Sequence, residues 1–496
     1  MMKVIELYIQ KYKKFVEQNI NLNYHECNEL IESIYGDLNI TAIIGSNGSG
    51  KTTILSMIAN IFRYLQRNQN EIPSDFRLVY EINNNIICLE KKNGSIFVKI
   101  NQNEKKLLLE MSRVNGKSIY SRYNYQSDLD IEDITYEEIK QFLPGKVIVS
   151  GFDKEYDIGY HSRLICDRLV KFNTKYYIES SYGLDLSLGI YRVYEKYFSE
   201  DKYLKQAFDD IDIHFSEYAD IWYTLPFESE FEMYRQIHED ERYFQLKSEL
   251  IHMLEEKGEQ NIEKQLSSIL NGAIFEEYII GDSEDEFSRK FNIRMFLKKD
   301  SVNKDILEIL IKNKFFYFND IYMVREVVYP MKYMSTGEKM ILGRLFFILN
   351  NIENDSILII EEPEVHLNYL WVKHLISIFI LLLKGYSSHL ILSSHNYSFI
   401  NNLFSSQILI LYRESVKQPM INTLLADEST IVDMLSEGKI KDNYIEEIIF
   451  DIINSYDKNR LRKVFDNMGE SYTKVLLFKK LVEIGEIDVE SNKRRE

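Results

Sequence analysis

Gly45-Ser46-Asn47-Gly48-Ser49-Gly50-Lys51-Thr52 decides the fold: it matches the spacing G-x-x-x-x-G-K-[ST] and stands between an apolar run at 40–44 and a helical pattern at 54–65. A buried strand that runs through glycines into a helix is the context this spacing requires. Glycines let backbone N–H groups wrap a chain of phosphates, and the helix start adds the positive end of its dipole. Lys51 is placed to reach the β- and γ-phosphates and the Thr52 hydroxyl to ligate Mg²⁺. Gly45 through Thr53 are therefore the candidate ATP-binding residues, with Thr53 closing the loop. The alternative, a plain glycine-rich turn, loses ground once the motifs downstream are counted.

A second apolar strand, 357–360, ends in Glu361 and Glu362. Successive side chains at a strand end diverge, so Glu361 can face a metal shell while Glu362 faces the γ-phosphate and polarises the attacking water. Thr52 and Glu361 are the candidate metal ligands; Glu362, His395 and Lys51 are the candidate catalytic residues. A lone histidine is more often structural. His395, however, follows the strand at 389–394, at a sheet edge where an imidazole can hydrogen-bond the γ-phosphate or the water. Ser335 and Gly337 precede the helix pattern at 340–349 and form a second anion site at a helix start. Two such sites so far apart in sequence need not serve one nucleotide within one copy; two copies can sandwich it.

The chain has 496 residues and is 45% hydrophobic, enough for a large core. It contains no run of about 18 uncharged apolar residues, and its opening reads as an amphipathic strand and not as a signal peptide, so a cytoplasmic location is expected. Cys27, Cys88 and Cys166 lie far apart and show no zinc spacing. A net charge of −17 argues against a nonspecific nucleic-acid coat. Short basic runs, among them Lys11, Lys13 and Lys14, are candidates for local DNA contact, but such runs are usually solvated faces. Strand patterns at 76–82, 86–89 and 96–100 form a meander, and 146–150 is one more buried strand. Between 156 and 325 the pattern is mainly helical, with stretches at 245–270 and 303–314 and no sustained heptad repeat. Buried strands resume at 356–360, 389–394 and 407–411 and alternate with helices, which predicts a largely parallel sheet covered on both faces.

In order, GSNGSGKTT, MSTGEK, ILIIEEPEVHL and ILSSH resemble the P-loop, signature, Walker B with D-loop, and switch-histidine motifs of ABC-type ATPases. The opening KVIELYIQKYKKF and the phrase EEPEVHL look like the RecF, SMC and OLD-related branch of that class. The resemblance implies an α/β fold: an ABC-ATPase head with a mostly parallel sheet and an antiparallel meander, a mainly helical insertion and a helical C-terminal tail. The divisions expected on this basis are 1–155, 156–325, 326–427 and 428–496. It implies ATP and Mg²⁺ as cofactors, and a homo-oligomer, at least a dimer, in which Ser335 and Gly337 of one copy meet the γ-phosphate held by Lys51 of the other. On the same ground residues 364–367 are expected to form a D-loop across the interface. Glu361 stands where an Asp is usual, and no glutamine follows the strand at 146–150, where Ser150 or Asp153 is left to replace it. No Toprim or HNH pattern is present, and Asp210-Ile211-Asp212 reads as a solvated face. A head ATPase without an effector domain looks like the ATPase subunit of a Septu-type antiphage system, which implies a partner HNH nuclease and gating by nucleotide. The alternative is a RecF- or SMC-like repair or chromosome-maintenance ATPase that clamps DNA.

Overall fold

The structure, a computed structural model, describes residues 1–22, 29–66, 70–122, 131–151, 169–173, 186–198, 202–223, 274–279, 287–293, 301–312, 316–365, 367–396, 400–412, 415–427, 444–454, 457–469 and 472–485, together with residues 68, 248, 252 and 431. It divides into two compact units, Met1–Ile431 and Val432–Glu496.

The first unit is built around one helix. α1 (Glu29–Tyr35) precedes β3 (Asn39–Gly45), and β3 leads through the glycine loop into α2 (Lys51–Gln66). α2 is buried nearly all round, as a helix covered on opposite sides must be. One cover is a sheet in the order β10-β7-β6-β5-β4-β1-β2, antiparallel except between β10 and β7, comprising Asp133–Ile134, Lys106–Leu108, Ser95–Ile100, Asn85–Lys92, Phe76–Ile82, Lys3–Tyr12 and Phe15–Asn21. The expected meander is its centre, closed by left-handed asparagines at Asn83 and Asn84 and by Asn93-Gly94. The other cover is the sheet β12-β11-β18-β19-β3-β20-β21, comprising Leu169–Asn173, Val147–Gly151, Ile357–Glu361, His389–Ser394, Asn39–Gly45, Ile408–Tyr412 and Ser415–Lys417. Every pairing in it is parallel except β20 with β21. Alternate residues of these strands, Ile43, Val149, Ile359 and Ile391 among them, join Leu78, Leu89 and the α2 side chains in one core.

The two sheets are tied at one buried imidazole. His389 Nδ1 accepts the Val4 N–H of β1 at 2.9 Å, and its Nε2 lies 2.9 Å from Thr41 Oγ1 of β3. Thr41 already donates its one proton to Leu22 O at 2.8 Å, so Nε2 carries the ring proton and the ring is neutral.

Residues 156–325, expected to be mainly helical, carry four strands of a five-stranded antiparallel sheet with the order β14-β15-β13-β16-β17, and β17 follows just after them. Its strands are β13 (Phe215–Tyr223), β14 (Ile274–Ile279), β15 (Phe287–Asn292), β16 (Phe316–Val324) and β17 (Val328–Pro330). Aromatic and charged residues interleave in FSEYADIWY and FYFNDIYMV, and this masks the period of two by which a strand is read. The helix pattern at 303–314 corresponds to Ser301–Lys312, whereas the stretch at 245–270 falls outside the described residues apart from two isolated positions. With α3 (Tyr136–Ile139) counted, the helices that follow are α4 (Ser187–Phe198), α5 (Lys202–Asp209), α6 (Ser301–Lys312), α7 (Thr336–Asn351) and α8 (Tyr369–Leu383). α4 is wedged between α7 and the new sheet: Tyr194 meets Phe215 at 5.2 Å and Tyr197 meets it at 5.0 Å. The second unit folds α9 (Tyr444–Asn454), α10 (Lys458–Asn467) and α11 (Tyr472–Glu483) on a core of Ile453, Leu461, Leu477 and Leu481. Among the described residues no helix is long and apolar enough to cross a membrane.

Candidate functional site

In a parallel sheet all carboxyl ends open at one edge, which is where ligands of such sheets bind. Here the neighbours β18, β19 and β3 deliver the acid pair, His395 and the glycine loop to that edge. The loop is tightly supported on one side. Gly50 has φ +107°, and a Cβ there would stand 2.7 Å from Phe15 Cζ, so only glycine fits. Gly48 has φ +74° with nothing within 4 Å, leaving the other side of the loop open.

Lys51 is buried and donates to Gly45 O at 2.8 Å and Ser46 O at 3.3 Å, which aims the ammonium along the loop. Burial pulls its pKa below the ordinary lysine value, and Glu362, Glu361 and Glu364 oppose that pull. The Thr52 hydroxyl donates to Glu361 Oε1. One hydroxyl and one carboxylate thus already meet, the donor set that Mg²⁺ takes together with phosphate and water. The buried hydroxyls of Ser49 and Ser393 have no hydrogen-bond partner among the described residues, and Ser393 sits beside Glu361 in the ladder. Unspent donors around a hydroxyl–carboxylate pair fit a magnesium–polyphosphate ligand. No group of three or more His, Cys, Asp or Glu that could hold a metal occurs among the described residues.

Glu362 leaves the strand in the left-handed region, φ +42°, with its N–H on Ser393 O at 2.8 Å. This turn sends its carboxylate away from that of Glu361 and sets Oε1 3.3 Å from His395 Nδ1. The cleft at the loop and the acid pair, about 530 Å³, is lined by Asn47, Gly48, Gly50, Lys51, Thr52, Thr53, Glu361 and Glu362, and His395 reaches it only through Glu362. Two more lining residues, Lys13 and Lys14, were read from sequence as part of a solvated basic run. They occupy the β1–β2 turn, where Lys13 has φ +54° and Lys14 Nζ donates to Gly48 O at 2.6 Å. Their place in the quoted opening KYKKF was the available signal, but charge alone does not say which run folds over a phosphate loop.

Ser335 is the N-cap of α7, in a capping box with Glu338: Ser335 N donates to Glu338 Oε2 at 2.6 Å, and Glu338 N donates to Ser335 Oγ at 3.4 Å. Because that hydroxyl accepts, its proton remains for an anion. Burial works against the Glu338 carboxylate, yet Ser335 and the ion pair with Arg325 together hold its pKa below the ordinary value. Neither Ser335 nor Gly337 lines the cleft at Lys51. Asp212 pairs with Arg325 at 3.1 Å, and Asp210 lies 3.5 Å from His374 Nδ1, so both carboxylates of the D-x-D stretch have partners within the chain.

Two expectations change. Ser150 pairs with Ile360, on the face of the sheet opposite to Glu361, and is therefore not aimed at the metal position; Asp153 lies outside the described residues. Glu364 is 5% exposed and turned into its own chain, with its carboxylate on Ser394, and is not presented outward as a D-loop contact.

Comparison with curated proteins finds no match. Among solved structures, the chain is similar to the Smc head domain with an extended coiled coil, bound to the C-terminal domain of ScpA, from Pyrococcus furiosus: 13% identity, TM-score 0.35, over 88% of this chain and 100% of that one. It is also similar to the SMC head domain from Thermotoga maritima, at 13% identity and TM-score 0.31 over 85% of this chain and 97% of that one. The model of the AAA ATPase domain matches residues 2–400. That match spans well over half the chain, so the protein belongs to the AAA ATPase domain family and is, on that ground, an enzyme that hydrolyses ATP.

Proposed function

We propose that two copies of this chain close on ATP and Mg²⁺, with Ser335 and Gly337 of one copy completing the site built on Lys51 of the other, and that the closed assembly gates a partner effector, a nuclease of a Septu-type antiphage system. The observation that carries the two-copy reading is that the signature stretch, an exposed helix N-terminus with a donor to spare, does not line the cleft where Lys51, Thr52 and the acid pair meet. Within one copy the roles divide by geometry. Lys51, the loop N–H groups and Lys14 bind and orient the phosphates; Thr52 and Glu361 would hold Mg²⁺, which neutralises phosphate charge. Glu362 orients the attacking water and accepts its proton, while His395 supports Glu362 through Nδ1 and keeps Nε2 for phosphate or water. The partner reading is supported by the motif resemblance.

Light scattering on wild type and Glu362→Gln, with and without the product of the neighbouring gene, tests the proposal. The variant should bind ATP normally, hydrolyse it about 10²–10³-fold more slowly, and accumulate as an ATP-loaded assembly that retains a nuclease. A trapped dimer that binds DNA and no nuclease would transfer the protein to the clamp reading, and a monomer in saturating ATP would end the two-copy reading altogether.

A further inference from the structure

Two residues beyond the acid pair, one buried carboxylate has no part in the roles assigned above. Glu364 Oε1 accepts the hydroxyl proton of Ser394 and lies 3.6 Å from His395 Nδ1; Oε2 is enclosed with no hydrogen-bond partner among the described residues. The Ser394 hydroxyl, steered by Glu364, in turn accepts the Asn396 N–H at 2.8 Å. The residues on both sides of His395 are thus pinned to one oxygen, and that oxygen is pinned by Glu364. Arg344 of α7 is 2% exposed, and burial pulls its pKa down while the Glu364 charge opposes that pull. α7 is the helix that Ser335 caps. A half-satisfied buried carboxylate is costly, and a neutral side chain of the same size would fill the space without that cost. Its place, against the histidine turn, is where the charge has a use.

We propose that Glu364 is a positioning residue for ATP hydrolysis: through the Ser394 hydroxyl and beside the imidazole Nδ1 it fixes the orientation of His395 next to Glu362. The inference rests on the reading of Glu362 and His395 as groups of the hydrolysis centre.

The test compares full-length wild type, Glu364→Gln, His395→Ala and the double variant, in ATP binding and single-turnover hydrolysis. Glu364→Gln keeps the size of the side chain and an acceptor for Ser394 while removing the charge. It should slow hydrolysis by about 10–100-fold with ATP affinity within about twofold, as a misplaced catalytic group does. The double variant should be no slower than His395→Ala alone, because the two side chains act as one unit. Multiplying effects, an unchanged rate in Glu364→Gln, or a loss confined to ATP affinity would each overturn the proposal. A wild-type rate in His395→Ala would remove the histidine role itself and the proposal with it. If Glu364→Gln does not fold, Ser394→Ala takes its place in the same comparison, with the same non-additivity expected and the same outcomes decisive.

Discussion

Lys14 shows how much one side chain at a turn can decide. Its ammonium reaches from the β1–β2 hairpin to the Gly48 carbonyl, so it both shapes the loop and adds positive charge to the cleft. Hydrogen bonds to charged groups contribute about 1.5–3 kcal/mol, so Lys14→Ala should weaken ATP binding by roughly tenfold or more, read by titration with a fluorescent nucleotide. An unchanged affinity would return the lysine to the solvated face first assigned to it. Glu364 makes the opposite kind of prediction. Burial pushes its pKa above the ordinary carboxyl value, against the pull of Ser394 and His395. The folded chain therefore holds this proton more tightly than the unfolded chain, and stability is lost as pH rises from the ordinary carboxyl pKa through the raised one. Glu364→Gln should accordingly melt higher than wild type at pH 8, with the gap narrowing as pH falls toward the carboxyl range. A gap that widens on acidification would contradict the assignment. Loss of activity together with a gain in stability is the usual mark of a functional residue.

At the scale of elements, α4 and α7 satisfy each other's ends. The Gly189 N–H, in the first turn of α4, donates to Asn350 Oδ1 at 3.2 Å, while Arg192 Nη1 donates to Leu349 O at 2.7 Å and Ile352 O at 3.3 Å, at the last turn of α7. The helices touch so closely that a Cβ on Gly189 would overlap the Phe346 carbonyl and stand 2.9 Å from Asn350 N. Backbone cannot step aside as a side chain can, so Gly189→Ala should cost about 1–3 kcal/mol, visible as a lower midpoint in urea. A neutral result would mean that the two helices slide freely. None of this was legible in the sequence, since Gly189 and Phe346 are too far apart along the chain for any local pattern to pair them. What was legible were segments whose chemistry is local: the strand, glycine loop and helix at 39–66, the apolar strand ending in two acids, and the meander with its asparagine turns. The five-stranded sheet escaped because aromatic and charged residues interleave along its strands, and the burial of Glu364 escaped because it depends on Ser394, on a neighbouring strand.

At the scale of the molecule, every residue proposed for the ATP site lies in Met1–Ile431, and the C-terminal unit has a core of its own. A chain ending at Ile431 should therefore fold cooperatively and bind ATP with wild-type affinity; failure to bind would show that Val432–Glu496 is required by the first unit. The sheet order of that unit also governs how the protein is made. β3, the strand that carries the phosphate loop, is hydrogen-bonded on one side to His389–Ser394 and on the other to Ile408–Tyr412. At ~5–20 residues per second a ribosome delivers those two strands roughly 20–70 s after β3 has emerged. For that interval a strand of alanine, threonine and three isoleucines has two open edges, the condition under which strands of different chains find each other. A newly made chain is thus open to pairing with other chains over residues 39–45 until the last strands arrive, and a polypeptide that ends before Ile408 lacks one neighbour of its phosphate-loop strand.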